Sequence, residues 1–230
     1  MTMIPARLDA VRQRIHAACV RFDRDPQSVV LLAVSKTQGP EAVVCAANAG
    51  QVAFGENYVQ EAVEKITALR HLPLQWHCIG PVQSNKTRLV AEHFDWIHTV
   101  DRLKIAQRLS EQRPAALAPL QVCIQVNVDG GASKSGVAPA EALALAQAIA
   151  QLPNLRLRGL MCLPEPAPNF EAASRVFVRA RDLFYALNSQ RLDLDTLSMG
   201  MSADLEAAIA CGSTMVRVGT AIFGERHASA

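Results

Sequence analysis

Eight short apolar stretches recur along the 230-residue chain, and a segment with helical spacing of apolar residues follows each of them. The predicted strands are Val29–Val34, Gln51–Phe54, Gln75–Ile79, Asp95–Thr99, Leu120–Val128, Leu155–Met161, Thr196–Met199 and Thr214–Val218. The predicted helices between them are Pro40–Ala49, Tyr58–Arg70, Ser84–His93, Arg102–Gln112, Pro139–Gln151, Phe170–Asn188 and Ala203–Ala210. Such alternation indicates an α/β protein with a parallel sheet. Eight strands favour the closed (β/α)8 TIM barrel, with an open doubly wound sheet as the alternative.

The ends and connections of the chain indicate one domain, residues 1–230. No linker rich in Pro, Gly or Ser divides the strands into two groups. The segment before the first strand is amphipathic, with Arg7, Arg12 and Arg14, and predicts an additional N-terminal helix. That segment lacks an apolar signal core, and no apolar run approaches the roughly 20 residues of a membrane helix. We therefore expect a cytoplasmic protein.

The charges and the cysteines exclude several classes of function. The 23 basic and 21 acidic residues give a formal net charge of +2, which offers no support for a nucleic acid or a membrane as partner. The six cysteines are scattered without a Cys-x-x-Cys pair, and the six histidines show no metal-ligand spacing. We expect buried thiols that act as small hydrophobes, and no metal site.

The first predicted strand ends in Ser35-Lys36-Thr37. A lysine at the mouth of an apolar barrel is partly desolvated, which lowers the pKa of its amine and frees the amine to attack a carbonyl. The alternative is a solvated lysine at a strand end. The polar residues that end the other strands favour the reactive lysine, because the carboxyl ends of all eight strands form the functional face of such a barrel.

Three further polar residues lie on this face. Asn57 follows the second strand, where it either caps the next helix or contacts a ligand. His77 ends the third strand, and we expect it to pack near the site without a catalytic role. Lys134 lies in a glycine-rich loop that matches no phosphate-binding pattern, and we interpret that loop as a flexible turn.

The last two βα junctions predict an anion site. Ser202 opens one predicted helix, and Gly219-Thr220 open the next, so amide groups and a glycine that permits close approach converge there. The alternative is that Ser202 and Thr220 merely cap helices. Phosphate sites are frequent after strands seven and eight of these barrels, and strand eight adjoins strand one. A reactive lysine beside a phosphate site suggests an aldehyde phosphate, with pyridoxal phosphate as the first candidate.

Seven motifs in order then carry a resemblance to a known family. They are AVSKT, FGENYVQE, WHCIGPVQSNK, SKSG, RGLM, LSMGMSADLEAAI and STMVRVGTAIFGER. Together they resemble the YggS/PROSC group of pyridoxal-phosphate homeostasis proteins, related in fold to the N-terminal barrel domain of alanine racemase. The resemblance implies that Lys36 forms the Schiff base, that Ser202, Gly219 and Thr220 bind the phosphate, and that Arg217 faces the pyridine nitrogen.

The resemblance also implies a function. A cationic arginine keeps the ring nitrogen unprotonated and weakens the ring as an electron sink. The racemases take a second base from an additional C-terminal β domain, which we do not expect here because the chain stops directly after the last βα unit. We therefore expect a monomeric protein without turnover that binds pyridoxal phosphate and supplies it to pyridoxal-phosphate-dependent apoenzymes. The alternatives are a small amino-acid racemase with Tyr58 as second base, and a Schiff-base aldolase without cofactor.

Overall fold

A computed structural model describes residues 3–131 and 135–224, and its eight parallel strands form a closed barrel in chain order. The strands are β1 Val30–Val34, β2 Ala53–Glu56, β3 Gln75–Cys78, β4 Trp96–Val100, β5 Leu120–Gln125, β6 Leu155–Met161, β7 Thr196–Ser198 and β8 Met215–Val218. The helices are α1 Met3–Arg21, α2 Pro40–Asn48, α3 Val59–Ala68, α4 Thr87–His93, α5 Leu103–Gln112, α6 Ala142–Ala150, α7 Phe170–Asn188, α8 Leu205–Ala210 and α9 Thr220–Phe223. The predicted TIM barrel is confirmed.

The barrel closes where its first and last strands pair. Leu32 of β1 lies opposite Arg217 of β8, and Ala33 lies opposite Val218. All four residues of β8 and all five of β4 are buried, as expected for parallel strands that are covered on both faces. Closure therefore brings the carboxyl end of β1, where Lys36 follows, beside the carboxyl end of β8.

The hydrophobic core has an outer and an inner part. The large cluster lies between the sheet and the helices and includes outward-facing residues of all eight strands. Two small clusters contain only strand residues and an adjoining loop residue, which places them inside the barrel; they are Leu32, Ala53 and Met215 with Ile79, and Trp96, Cys123 and Met161. The inner clusters are small because polar side chains occupy much of the barrel interior.

The N-terminal helix α1 packs against α8 and α9, which follow the last two loops of the barrel. Its buried residues recur at helical spacing and include Ile4, Leu8, Val11 and Ile15. At the same contact, Arg14 of α1 forms hydrogen bonds to the carboxylate of Glu206 in α8, the shortest of 2.9 Å. The predicted additional helix is confirmed, and it supports the loops after β7 and β8.

Two strands differ from their predicted bounds by two residues or more. Strand β2 begins at Ala53 instead of Gln51, because the Gln51 side-chain amide donates to the carbonyl oxygens of Leu31 and Ala53 from a loop position. Strand β5 ends at Gln125, since Val126 leaves the ladder and forms an isolated bridge with Val137. These side-chain and long-range contacts are invisible to a periodicity argument.

Five of the six cysteines are buried, as expected. Burial raises the pKa of Cys78, Cys123 and Cys162 to about 12, so these thiols stay protonated at neutral pH. In the described ranges, no helix is long and apolar enough to cross a membrane.

Candidate functional site

Lys36 lies two residues after β1, in the loop at the carboxyl face of the barrel. Strand β1 continues briefly into this loop, because the amide of Ser35 donates to the carbonyl oxygen of Gly55 over 3.0 Å. The amide of Gln38 donates to the carbonyl oxygen of Ser35 over 3.0 Å, so residues 35–38 form a tight turn around Lys36. The Lys36 side chain is half-buried at the mouth of the barrel.

A buried ion pair lies beneath this turn. The Lys65 amine of α3 is 2.7 Å from Oε1 of Glu56, which ends β2, and 2.9 Å from the carbonyl oxygen of Ser35. The Ser35 hydroxyl donates to the same Glu56 oxygen over 2.6 Å. Burial raises the pKa of Glu56, and the adjacent Lys65 amine opposes that shift. Strand β2 and helix α3, which follow Lys36 in the chain, therefore fix the position of Ser35.

Arg217 of β8 is a buried cation whose hydrogen-bond partners are neutral. Its Nη1 donates to the carbonyl oxygen and to the hydroxyl oxygen of Ser198, both at 2.8 Å, and its Nη2 donates to the carbonyl oxygen of Cys162 at 2.9 Å. Among the described residues, no carboxylate lies within ion-pair distance of its guanidinium. Burial lowers the pKa of Arg217 from its usual value, as expected for a cation removed from water.

A hydrogen-bonded row of side chains continues from Arg217 through the barrel interior. The Ser198 hydroxyl lies 3.1 Å from Nδ1 of His98, and Nε2 of His98 lies 2.9 Å from Nδ1 of His77. Nε2 of His77 lies 3.0 Å from Oε1 of Gln75, and the His77 ring stacks on Trp96. Burial lowers the pKa of His77 to about 3 and that of His98 well below its usual value, so both rings are neutral at pH 7.

The loops after β7 and β8 bring Ser202, Gly219 and Thr220 to one edge of the barrel mouth. The Arg217 amide donates to the carbonyl oxygen of Gly200 over 2.9 Å, which holds the two loops together. A Cβ atom at Gly219 would lie 3.2 Å from the carbonyl oxygen of Val34, so glycine permits this close approach to the end of β1. Helix α9 begins at Thr220, and the amides of Ile222 and Phe223 both donate to the carbonyl oxygen of Gly219 over 2.9 Å.

Ser202 itself does not open a helix, contrary to the prediction. Helix α8 begins at Leu205, because the Asp204 carboxylate accepts a hydrogen bond from the Met201 amide and forms a turn before the helix. The Ser202 carbonyl oxygen accepts a hydrogen bond from Arg14 over 3.1 Å. Helix α1 therefore contacts Ser202 through the backbone carbonyl oxygen of that residue.

Asn57 follows β2, which is adjacent to β1 and two strands from β8 in the closed barrel. Tyr58 is the residue before α3, and neither side chain caps the helix, so the capping alternative for Asn57 is not observed. Asn57 lines a cavity of about 490 Å³ together with Tyr58, Lys86, Thr99 and other residues of the loops after β2 to β5. A Cβ atom at Gly80 would collide with the Asn57 backbone, so Gly80 sets the position of this wall.

The sequence therefore predicts which polar residues lie near the barrel mouth, but not all of the hydrogen bonds between them. Lys36, Arg217, Gly219 and Ser202 lie on neighbouring strands or loops, Asn57 follows the strand on the other side of β1, and Lys134 lies outside the described residues. His77 is buried in a strand, as expected, but it bonds to His98, for which the sequence gives no local signal. The strand register explains the contact: His77 pairs with Trp96, two positions before His98, so both histidine side chains point to the same side of the sheet.

Observed features of this site agree with the groups that pyridoxal phosphate presents. The buried Arg217 guanidinium has only neutral partners, which suits an uncharged ring nitrogen as a further acceptor. Gly219 permits a close approach of the loop after β8 to the end of β1, so the backbone of Gly219 and Thr220 lies near the strand that precedes Lys36. The half-buried Lys36 follows that strand in the loop at the barrel mouth. The residues present therefore fit this cofactor.

Comparison with known proteins agrees with this geometry. Residues 6–227 match the family described as "Alanine racemase, N-terminal domain". The "Pyridoxal phosphate homeostasis protein" of Pseudomonas aeruginosa is 60% identical over 226 residues, which cover 98% of this chain and 97% of that protein. The protein of the same name from Escherichia coli K12 is 54% identical over 232 residues, covering 100% and 99%.

A solved structure extends the comparison to three dimensions. PipY of Synechococcus elongatus, solved with pyridoxal phosphate bound, is 39% identical and superposes with a TM-score of 0.84. The alignment covers 96% of this chain and 100% of PipY. The chain therefore belongs to the alanine racemase N-terminal domain family, in its group of pyridoxal phosphate homeostasis proteins.

Proposed function

We propose that residues 1–230 act as a single domain that binds pyridoxal phosphate in the cytoplasm, holds it on Lys36 and supplies it to pyridoxal-phosphate-dependent apoenzymes. The relatives named pyridoxal phosphate homeostasis proteins and the PipY structure with pyridoxal phosphate support the ligand. The five buried cysteine thiols, which form no disulfide among the described residues, support a reducing compartment. The buried Arg217 with its neutral partners is the observation that carries the proposed role.

Each site residue has a separate task in this proposal. When bound, pyridoxal phosphate supplies an aldehyde that condenses with an amine, and its ring withdraws electrons most strongly when the ring nitrogen is protonated. Lys36 provides the amine. Ser202, Gly219 and Thr220 bind the phosphate, and Arg217 donates a hydrogen bond to the ring nitrogen. Asn57 contacts the cofactor from the loop after β2, beside the strand that precedes Lys36.

Arg217 favours holding the cofactor over turnover. An arginine has five N–H donors and no acceptor, so it cannot stabilise a proton on the ring nitrogen. The neutral Ser198 and Cys162 carbonyls around it supply no negative charge that would reverse this preference. The competing function is a small racemase. For that reaction Tyr58 is the candidate second base, because it lines the cavity at the barrel mouth, although its side chain is 55% exposed.

The proposal is tested by locating the attachment point. Borohydride reduction of the yellow protein, followed by peptide mapping, is expected to place the pyridoxyl group on Lys36. Lys36→Ala is expected to lose the Schiff-base absorption band but to keep weaker binding through the phosphate. A pyridoxyl label on Lys86, which lines the cavity, would mean that the lysine after β3 reacts instead of Lys36. A colourless protein that pyridoxal phosphate cannot reconstitute would favour the aldolase instead.

A further inference from the structure

The backbone next to Lys36 adopts an unfavourable conformation. Thr37 has a φ of 63°, in the left-handed region that β-branched residues rarely enter. The residue occupies the third position of the turn closed by the hydrogen bond from Gln38 to Ser35, where glycine or asparagine is usual when φ is positive. A conformation of this kind persists only where surrounding contacts enforce it.

Three charged side chains enforce it from one side. Glu56, Glu61 and Lys65, here called the Lys65 clamp, bind both chain neighbours of Lys36. Lys65 and Glu56 hold the carbonyl oxygen and the hydroxyl of Ser35, as described above. The Glu61 carboxylate accepts a hydrogen bond from the Thr37 amide over 2.9 Å and lies 3.5 Å from the Lys65 amine.

A contribution to stability alone does not explain why this clamp consists of buried charged side chains. Ser35 and Glu56 are fully buried and Lys65 is 3% exposed, so the ion pair has lost its hydration. Buried ion pairs are often no more stabilising than apolar side chains of similar volume. In the described part of the chain, Oε2 of Glu56 is also buried and has no hydrogen-bond partner. All the bonds of this carboxylate go instead to the one oxygen that holds Ser35 and Lys65.

We propose that the Lys65 clamp is a positioning device: it holds the strained turn at Thr37 and so fixes the direction in which the Lys36 amine leaves the barrel wall. This inference rests on the proposed function of Lys36. In the reaction concerned, the Lys36 nitrogen bonds to an aldehyde carbon, its two protons leave with the aldehyde oxygen as water, and no oxidant is needed. A fixed amine reaches that carbon more often than one on a relaxed loop.

The test compares two ligands and four variants. The ligands are pyridoxal phosphate, which reacts with Lys36, and pyridoxine phosphate, whose alcohol cannot react. Lys65→Met is expected to slow Schiff-base formation at least tenfold, while the affinity for pyridoxine phosphate changes less than about twofold. Glu61→Ala removes the acceptor for the Thr37 amide and the longer contact with the Lys65 amine, and a several-fold slower reaction is expected. Glu61 is half-buried, so this variant also serves if Lys65→Met does not fold.

A rescue experiment separates positioning from general damage. Glycine adopts a positive φ without strain, so Thr37→Gly in the Lys65→Met background is expected to recover part of the lost rate. Glu64→Ala on the exposed side of α3 is the matched control and should leave the rate unchanged. An unchanged rate in both clamp variants overturns the inference. An equal loss for both ligands also overturns it, because the whole site would then have collapsed.

A measurement without cofactor separates this inference from the proposed function. Competitive labelling of the protein with acetic anhydride reports the reactivity of Lys36 relative to the exposed Lys104. Lys65→Met is expected to change this ratio severalfold, and Glu64→Ala to leave it unchanged. If borohydride labels another lysine in the unmutated protein, the proposed function fails while this ratio still tests the clamp. An unchanged ratio together with correct labelling rejects the clamp alone.

Discussion

Arg217 donates a hydrogen bond to the hydroxyl oxygen of Ser198 over 2.8 Å, and this bond joins the cation to a row of neutral side chains. At the far end of the row, Oε1 of Gln75 can only accept, so Nε2 of His77 donates to it and Nδ1 of the neutral His77 ring accepts from Nε2 of His98. Nδ1 of His98 then accepts from the Ser198 hydroxyl, whose oxygen accepts from Arg217. The contacts at both ends therefore agree with one pair of histidine tautomers.

The first prediction concerns the ring nitrogen. With ¹⁵N-labelled pyridoxal phosphate bound, the chemical shift is expected to be that of an unprotonated pyridine nitrogen at pH 7, because Arg217 donates to it. Arg217→Gln removes the charge and is expected to move the shift towards the protonated value. Arg102→Gln, a change at an exposed arginine near the same face, serves as control. A protonated shift in the unmutated protein would contradict the assigned role of Arg217.

The second prediction concerns stability at low pH. His77 has a folded-state pKa of about 3, whereas the unfolded chain binds a proton near pH 6.5. The free energy of unfolding is therefore expected to fall as the pH drops from about 6.5 towards 3, by up to roughly 1.4 kcal/mol per pH unit for this residue. Chemical denaturation of the protein and of His77→Gln should show a shallower pH dependence in the variant. Identical slopes would mean that the His77 ring is accessible to protons in the folded state.

The third prediction concerns phosphate binding. Charge-assisted hydrogen bonds contribute roughly 1.5–3 kcal/mol each, so Ser202→Ala is expected to weaken pyridoxal phosphate binding about tenfold or more. The same change should hardly affect pyridoxal, which lacks the phosphate. Equilibrium titrations with both ligands measure this difference, and Ser189→Ala at an exposed position is the control. If both ligands bind equally well, no phosphate site exists at Ser202, Gly219 and Thr220.

The fourth prediction concerns helix α1. Arg14 bonds to Glu206 and to the carbonyl oxygen of Ser202, and both charged side chains are more than one-third exposed. Exposed ion pairs contribute about 0–1 kcal/mol, so Arg14→Ala should change the stability little. It should nevertheless weaken pyridoxal phosphate binding a few-fold, because the Ser202 loop loses a support. Gln13→Ala, one residue away on the exposed surface, should change neither quantity. A loss of stability without a loss of affinity would limit Arg14 to a structural role.

The fifth prediction distinguishes a holding protein from a racemase. Deuterium exchange at Cα of added amino acids in heavy water is expected to stay near the rate with free pyridoxal phosphate. A positioned acid–base group contributes about 10²–10⁴-fold to a rate, so a functional second base would be obvious. Tyr58→Phe should not alter the exchange rate. Rapid exchange with inversion that disappears in Tyr58→Phe would identify the protein as an enzyme.

The sequence is informative about the barrel because each strand carries its own local signal. The apolar run before Ser35 and the buried run ending at Val218 both read as strands without knowledge of their neighbours. The Lys65 clamp carries no such signal. Glu61 and Lys65 have the spacing of an ordinary surface ion pair on a helix, and only the packing of α3 on the ends of β1 and β2 buries the lysine.

The side-chain contacts inside the barrel are equally difficult to predict from the sequence. His98 and Ser198 are 100 positions apart, and their contact depends on where two strands lie across a closed sheet. Alternation of side chains along a strand predicts which of them point inwards, but not which of them meet. The start of α8 was misplaced for a similar reason, since the Asp204 side chain competes locally with the first turn of the helix.

The pairing of β1 with β8 has a consequence for the timing of cofactor binding during synthesis. Lys36 emerges from the ribosome early, whereas Arg217 and Gly219 emerge about 180 residues later, and Arg14 is 192 positions from its partner Glu206. Contacts between distant parts of a chain form late in folding. A nascent chain that lacks β8 therefore has the reactive lysine without the groups proposed to hold the ligand. We expect growing polypeptides to leave free pyridoxal phosphate untouched, so that only released chains compete for it.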